Sequence, residues 1–260
     1  MPVVRTYKEA AVVIAGGSSG VGFASATGFL DAGVTRLALL SRSPERGLSA
    51  RDRLRERCPD ATIEFVPLDV DDLDQVSRAV EKAHTALGSI DVLLSSVTAQ
   101  YRPELLHRID PSDIARILTA QALPPMYLTR TVLPIMQEQG GGSIVLVASD
   151  AAKVATPGES VLGAAMAAIV MFARTVAIEA KRNGVRVNAV TPSLIAGTAT
   201  AERVLTDGFS KALFEKAAKL AHLGVAEAED LAALVVFLGG PAAAKITGQA
   251  ISVNGGISAS

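Results

Sequence analysis

The sequence predicts an α/β protein with a Rossmann-like, doubly wound parallel sheet of about seven strands, flanked by helices on both faces. Two observations lead to this fold class. Short runs rich in apolar and β-branched residues are nearly continuous, as expected of strands that are buried on both faces of a parallel sheet. Amphipathic segments of helical length separate these runs along the whole chain, which is the βαβ alternation typical of doubly wound folds.

Each apolar run is assigned to a strand and each amphipathic segment to a helix. The predicted strands are Ala11–Ala15, Arg36–Ser41, Thr62–Pro67, Asp91–Ser95, Ser143–Ala148, Val185–Val190 and Ala250–Val253. The predicted helices include Val21–Ala32, Pro44–Arg57, Asp72–Leu87, Pro111–Gln137 and a long helix that begins near Gly158 and ends at Asn183-Gly184.

Glycine and proline mark the ends and irregularities of these helices. Gly33 and Gly88 follow the first and third helices and suit a left-handed helix end. Pro124 and Pro125 lie inside the fourth helix, where two missing amide hydrogens are expected to kink it.

The chain of 260 residues is expected to form a single domain, 1–260. One stretch interrupts the alternation, because residues 194–224 insert one or two extra helices between a strand and the next helix. An insertion near the carboxyl ends of the strands is where a lid over a substrate would lie. We therefore predict a substrate lid at Leu194–Gly224.

Composition and charge narrow the possible partners and location. The net charge is −1 with both signs interspersed, which argues against a surface for nucleic acid or anionic membranes. The longest apolar run, Val161–Ala173, has 13 residues, too few to span a bilayer, and predicts a buried or interface helix. One cysteine, three scattered histidines and a start without a secretory signal predict a cytoplasmic protein with no metal site.

A glycine-rich loop joins the first predicted strand to the first helix. Glycines at this kind of junction let the backbone turn tightly and approach a pyrophosphate, while the start of the helix offers unpaired N–H groups. The alternative is a retained turn that binds nothing. The residues expected to contact phosphate are Gly16, Ser18, Ser19, Gly20, Val21 and Gly22.

The end of the second strand indicates which dinucleotide would bind. An acidic residue at this position hydrogen-bonds the adenosine ribose and repels a 2′-phosphate, whereas the chain has Ser41 followed by Arg42. A guanidinium group pairs well with phosphate, so NADP(H) is favoured over NAD(H). The alternative for Arg42 is a solvated surface charge, and Arg46 could serve in either role.

Together these segments resemble the short-chain dehydrogenase/reductase family over nearly the whole chain. The loop at 15–22 is similar to the family's Thr-Gly-x-x-x-Gly-x-Gly, residues 68–70 to its adenine-contacting Asp, and residues 186–192 to its Val-Asn-x-x-x-Pro-Gly stretch. The tail 246–256 is close to the family's usual ending. The resemblance implies a nicotinamide-dependent oxidoreductase, with further cofactor contacts from Asp69, Val70, Ser95, Val97, Pro192 and Ile195.

The catalytic positions implied by the resemblance are altered. The family places a Tyr-x-x-x-Lys pair 13 residues after a Ser; here Ser149 is retained, but Leu162 and Met166 occupy the two later positions. Gln121 replaces the family's helix Asn, and Ser95–Thr98 replace its Asn-Asn-Ala-Gly. Neither Leu nor Met can donate a proton, and a general acid typically contributes about 10²–10⁴-fold in rate.

Other residues could replace the missing acid. Tyr101 lies in the loop after the fourth strand, and Asp150, Lys153 and Glu159 flank Ser149. For each of them a packing role or a solvated charge is the alternative, and Ser149 itself could simply cap the strand end.

Three functions remain open. The first is an NADP(H)-dependent oxidoreductase with a non-standard proton donor and a small-molecule substrate. The second is a catalytically silent subunit that assembles with an active relative, through the helices containing Pro111–Gln137 and Val161–Ala180. The same small and apolar residues suit a homo-oligomer, a dimer or tetramer as in the family. The third is a non-redox enzyme in a remodelled pocket.

Overall fold

The computed structural model describes residues 2–198 and 208–259, apart from the side chain at 209, and contains one seven-stranded parallel sheet. The sheet order is β3-β2-β1-β4-β5-β6-β7, and every neighbouring pair is parallel. The predicted doubly wound fold is therefore confirmed. The strands are β1 Ala11–Ala15, β2 Arg36–Ser41, β3 Thr62–Pro67, β4 Val92–Ser95, β5 Gly142–Val147, β6 Val185–Pro192 and β7 Ala250–Val253.

Helices connect the strands on both faces of the sheet. Residues 199–207, part of the expected lid, lie outside the described residues, so of that insertion only its two ends are described. The helices are α1 Gly20–Asp31, α2 Pro44–Arg57, α3 Leu73–Leu87, α4 Pro111–Glu138, α5 Ser160–Ala180, α6 Gly208–Leu220 and α7 Ala228–Gly239.

Two apolar cores cover the two faces of the sheet. On one face α3, α4 and α5 pack on strand residues such as Val13 and Leu40, which are fully buried. On the other face α1, α2 and α7 pack on their sequence neighbours Val12 and Leu39. Alternate strand residues point to opposite faces, so strands that are apolar at every position can serve both cores at once.

The sheet order reverses direction between β1 and β4, and this switch point positions the loops above it. The backbone of Gly16 lies so close to the loop after β4 that an added Cβ would be 2.6 Å from the Ser96 carbonyl oxygen. Gly16 has a φ of +83° and its N–H donates to Leu40. Ligands of open α/β sheets bind in the crevice at such a point, beyond the carboxyl ends of the strands.

The helix ends follow their local sequence. Asp72 accepts a hydrogen bond from the Gln75 N–H and caps α3, which ends at Gly88 with a φ of +77°. α5 continues as a 3₁₀ turn, Lys181–Asn183, and ends at Gly184 in the same left-handed conformation. These ends confirm the predictions made from Gly88 and from Asn183-Gly184.

Two details add to the sequence prediction. α4 is continuous through Pro124, Pro125 and Pro134, although each proline removes an N–H that the helix would use, and the kink expected at Pro124 and Pro125 stays a prediction. Packing of this 28-residue helix on α3, α5 and the sheet compensates for the lost bonds. β6 extends two residues beyond Val190, because Thr191 and Pro192 pair with β7.

The apolarity of α5 is explained by its place in the fold. The segment Ser160–Asn183 is long and apolar enough to cross a membrane by length and composition alone. In the folded chain one side of α5 packs on β6 and α4, and Ile169, Ala173 and Ala177 on that side are buried. It is therefore a core helix, as its apolar run predicted.

The close approach of Gly16 to Ser96 predicts a large effect of a single methyl group. Gly16→Ala is expected to lower the free energy of unfolding by roughly 1–3 kcal/mol more than Gly33→Ala, measured by urea titration. Both glycines have positive φ, but a Cβ on Gly33 meets no atom within 4 Å. Equal losses in the two variants would mean that the contact with Ser96 is not tight.

Candidate cofactor and active site

The start of α1 forms a cradle of unpaired N–H groups beyond β1. Ser19 is the N-cap residue, yet its side chain makes no capping hydrogen bond, so the first turn of α1 keeps its amide hydrogens available. Gly20 has a φ of +51°, and a Cβ there would meet nothing nearer than Thr198 at 3.8 Å. Gly22 touches the Gly16 carbonyl, where an added Cβ would lie 2.3 Å from the oxygen. The loop is therefore tight at Gly16 and Gly22, whereas at Gly20 the only described atom near an added Cβ belongs to Thr198, at van der Waals distance.

Polar side chains at the ends of β2 and β4 lack partners within the described chain. The hydroxyl oxygens of Ser41 and Ser95 are buried and have no hydrogen-bond partner there. Buried hydroxyls are normally hydrogen-bonded, and those of Ser25 on α1 and Thr129 on α4 also lack a partner among the described residues, so this feature is not confined to the ends of β2 and β4. Arg42, next to Ser41, is exposed, and no ion pair is found for it among the described residues.

The other expected cofactor residues lie along the same edge of the sheet. Asp69 is partly buried after β3 and accepts a bond from the Asp71 N–H at 3.3 Å, while Val70 packs on the core. Val97 follows β4 and packs on the same core. Pro192 ends β6, and Ile195 pairs with Ala226. Together with the start of α1, these residues fit an extended dinucleotide better than a small ion.

Ser149 caps the turn that follows β5. Its hydroxyl oxygen accepts a hydrogen bond from the Ala151 N–H at 3.2 Å. The capping role considered from the sequence is therefore present, and the hydroxyl hydrogen stays available to donate.

Asp150 and Lys153 belong to a buried network rather than to an acid–base pair. Asp150 accepts hydrogen bonds from Ser252, Asn254 and Ser258 of the C-terminal segment. The Lys153 ammonium donates to the Ser252 hydroxyl at 2.6 Å and lies 3.9 Å from Asp150. Burial lowers the pKa of Lys153. These contacts fasten the loop after β5 to β7 and correct the expectation that either residue stands ready as a catalytic acid or base.

Tyr101 is also committed to a structural bond. Its phenol donates to the Gly158 carbonyl at 2.7 Å, an oxygen that also accepts from the Glu104 N–H. Burial, together with the charge of Glu159, raises the pKa of Tyr101 to about 12. Proton transfer from this phenol would break the link between the two loops, so the structure disfavours it as the replacement acid.

Glu159 differs from these neighbours because no hydrogen bond or ion pair to its carboxyl group is found in the described parts of the chain. It precedes the first residue of α5 and is partly buried. Burial raises the pKa of Glu159 from an ordinary value of 4.5 to about 7. A carboxyl group that is hard to ionise and has no partner is the kind of group found at functional sites.

The face of α5 next to Glu159 is apolar. Leu162 lies three residues after Glu159, and Met166 four residues after Leu162, so Leu162 and Met166 share one side of α5, while Glu159 is the N-cap residue with non-helical backbone angles. Met166 is buried in the core on that side, and Leu162 packs against the same core.

Gln121 holds the loop after β4 to α4. Its carboxamide Nε2 donates to the Ala99 carbonyl at 3.1 Å, and its Oε1 accepts from the Ala99 N–H at 3.4 Å. Only 4% of Gln121 is exposed. A side chain fixed in this way positions a loop and has little freedom to relay a proton.

Two sets of contacts at the site were not anticipated from the sequence. One is the attachment of Asp150 to residues 252–258, and the other is the Ser210 hydroxyl of α6, which donates to the Pro103 carbonyl at 3.5 Å. Each joins segments about 100 residues apart, and no local sequence pattern predicts such a contact.

Comparisons with known proteins agree with the fold and the loop geometry. A family model described as enoyl-(acyl carrier protein) reductase matches residues 15–258. The 3-oxoacyl-[acyl-carrier-protein] reductase FabG of Thermotoga maritima is 30% identical over 246 residues, covering 94% of this chain and 96% of that protein.

Solved structures are similar over almost their full length. Levodione reductase has a TM-score of 0.89 and 26% identity, with 97% of this chain and 98% of that one covered. A short chain oxidoreductase from Pseudomonas aeruginosa PAO1, solved with NADPH bound and described as containing an atypical catalytic center, has a TM-score of 0.88 and 27% identity. That match covers 99% of this chain and 100% of the other.

The raised pKa of Glu159 makes stability depend on pH in a defined direction. Its carboxyl group binds a proton more tightly in the folded than in the unfolded chain, so the free energy of unfolding falls as pH rises from about 4.5 to about 7. Glu159→Gln removes that group. The variant should therefore gain stability relative to wild type between pH 5 and pH 8, by on the order of 1–3 kcal/mol in urea titrations.

The matched control is Glu229→Gln, which makes the same charge change at an exposed position on α7. Its free energy of unfolding should change between pH 5 and pH 8 by the same amount as that of wild type. A stability difference between Glu159→Gln and wild type that does not change with pH would contradict the raised pKa.

Proposed function

Because the chain belongs to the short-chain dehydrogenase/reductase family, we propose that it is an NADP(H)-dependent oxidoreductase whose active site lacks the family's Tyr and Lys. One observation carries the cofactor part of this proposal. The first turn of α1 has no side-chain cap among the described residues and lies directly beyond the switch point of the sheet. Such a helix start binds phosphate groups.

The side chains around this cradle support binding of a phosphorylated adenosine. The buried, unpartnered hydroxyl of Ser41 and the exposed guanidinium of Arg42 stand at the end of β2. A guanidinium group can hold a 2′-phosphate with two parallel hydrogen bonds, and no carboxylate at this strand end repels it. The similar oxidoreductase from P. aeruginosa was solved with NADPH, which agrees with this preference.

A bound reduced nicotinamide would supply a hydride to the substrate. The roles left to the chain are to position the substrate and to provide or withhold a proton. Ser149 can orient a polar substrate atom, since its hydroxyl hydrogen is not used by the cap. Leu162 and Met166 can exclude water but can donate nothing. Reduction of an ordinary carbonyl, whose oxygen must take up a proton, would lose the approximately 10²–10⁴-fold that a general acid contributes.

An exposed apolar face on α5 fits the second candidate, a silent subunit of a larger assembly, and fits a homo-oligomer equally well. Met171 and Ile178 are 59% and 60% exposed on the side of α5 away from the sheet. Large apolar side chains in such a position suit an interface between subunits. We propose an oligomer through this face, either of identical chains or with an active relative. Light scattering on the purified chain measures the first case, and co-purification of a second chain of similar mass supports the second.

We also propose a cytoplasmic location, which the single cysteine, Cys58, supports because the chain has no second cysteine with which to form an internal disulfide.

The cofactor preference is tested with Arg42. Wild-type protein should bind NADPH with micromolar affinity, measured by quenching of the NADPH fluorescence or by energy transfer to it. It should bind NADH more weakly. Arg42→Ala should weaken NADPH binding by about tenfold or more through the lost phosphate contact, while NADH affinity stays the same.

Arg130→Ala, which removes an exposed cation on α4 far along the chain from the loop, serves as the control and should leave both affinities unchanged. If NADPH does not bind up to millimolar concentration, the isolated chain is not an NADP(H)-dependent oxidoreductase. The silent-subunit alternative is then favoured.

A further inference from the structure

Glu159 is an acidic group that the proposed function does not yet use. It stands at the start of α5, partly buried, and no donor or cation that pairs with it is found in residues 2–198 and 208–259. Asp150, nine residues earlier in the chain, accepts hydrogen bonds from three side chains. An ionised carboxylate without a partner in partly desolvated surroundings is costly, and a cation is the group that best relieves the cost.

Within residues 2–198 and 208–259, the groups shown near Glu159 do not include a cation paired with it. The Tyr101 phenol is neutral and donates to Gly158, and Glu104 on the same loop is itself acidic and lies 3.7 Å from Arg108. Lys153 is turned toward β7, where it bonds Ser252. Glu159 is therefore a carboxyl group without a partner among the described residues, at the start of the helix that carries Leu162 and Met166.

We propose that the cation comes from the substrate, and that the chain reduces a charged C=N bond, an iminium ion, with Glu159 as the carboxylate that pairs with it. This proposal rests on the proposed function, since it needs the same nicotinamide cofactor. It names the substrate class of that site.

The chemistry of an iminium ion matches the residues that are missing. In ketone reduction the carbon accepts a hydride and the oxygen must accept a proton, which requires a donor. In iminium reduction the substrate carbon accepts the hydride from NADPH, a C–H bond forms, and the C=N π pair becomes the lone pair of nitrogen. The products are a neutral amine and NADP⁺, so no proton donor takes part in the bond-forming step. The amine takes up a proton from water after release.

The two apolar replacements then become favourable rather than damaging. A lysine in place of Met166 would add a positive charge to the site and repel a cationic substrate. Leucine in place of the family's Tyr removes an acid that an iminium substrate does not need and leaves apolar surface for its carbon frame.

The test compares two probes of the same ring size that differ in charge. N-methyl-3,4-dihydroisoquinolinium is a permanently cationic cyclic iminium, and 1-tetralone is a neutral ketone. Equilibrium binding to the full chain is measured by calorimetry at pH 8, with and without NADP⁺, and consumption of NADPH is followed with each probe.

Wild-type protein should bind the iminium at least tenfold more tightly than the ketone and should oxidise NADPH only with the iminium. Glu159→Gln should lose at least tenfold in affinity for the iminium and leave the affinity for 1-tetralone unchanged. Glu159→Asp keeps the charge and should keep the preference, which guards against a simple folding defect. Glu229→Gln, an exposed change of the same kind on α7, should behave as wild type.

Equal affinity of wild type for the two probes, or an iminium affinity that Glu159→Gln does not alter, would overturn the inference. So would reduction of 1-tetralone that depends on Glu159, because the carboxyl group would then be acting as a proton donor to a ketone. NADPH binding measured on the same samples separates the two proposals. If NADPH binds and charge selectivity is absent, the inference alone fails; if NADPH does not bind, the reductase function itself fails.

Discussion

The contact between Gly16 and Ser96 is the constraint on which the site depends. Two loops that follow adjacent strands, β1 and β4, approach backbone to backbone, closer than any Cβ at position 16 would permit. This approach brings the start of α1, whose first turn has no side-chain cap among the described residues, over the switch point. Orphaned hydroxyls at the ends of β2 and β4 border the same crevice.

The two halves of the sheet differ in the residues that follow their strands. The half built from β1 to β4 keeps the glycines and open helix start that a dinucleotide needs. In the half built from β5 to β7, the loop after β5 is fastened to the C-terminal strand through Asp150, and α5 presents Leu162 and Met166. If the cofactor binds as proposed, a site whose usual Tyr and Lys positions hold Leu162 and Met166 favours substrates whose reduction needs no proton from those two positions. Glu159, without a partner in the described structure, adds a charge that extends this selection to cations.

The sequence predicts the fold well because its signals are local. Buried strands alternate with helices, Gly88 and Gly184 end α3 and the long helix region as expected, and the seven strands were found within two residues of their predicted bounds. Local signals fail where distant segments meet. The sequence leaves Asp150 and Tyr101 as candidate acids, whereas the structure engages Asp150 with residues 252–258 and Tyr101 with Gly158. Glu159 stands out only once its neighbours are known to be engaged elsewhere.

The central claim is that two apolar residues on α5 separate cofactor binding from carbonyl reduction. The most direct measurement is the rate of NADPH oxidation with 1-tetralone by wild type and by the double variant Leu162→Tyr/Met166→Lys, after NADPH binding to both has been verified. Our account predicts that the double variant gains about 10²-fold or more over wild type, because it regains a proton donor and the cation that lowers its pKa. A wild-type rate no lower than that of the double variant would contradict it.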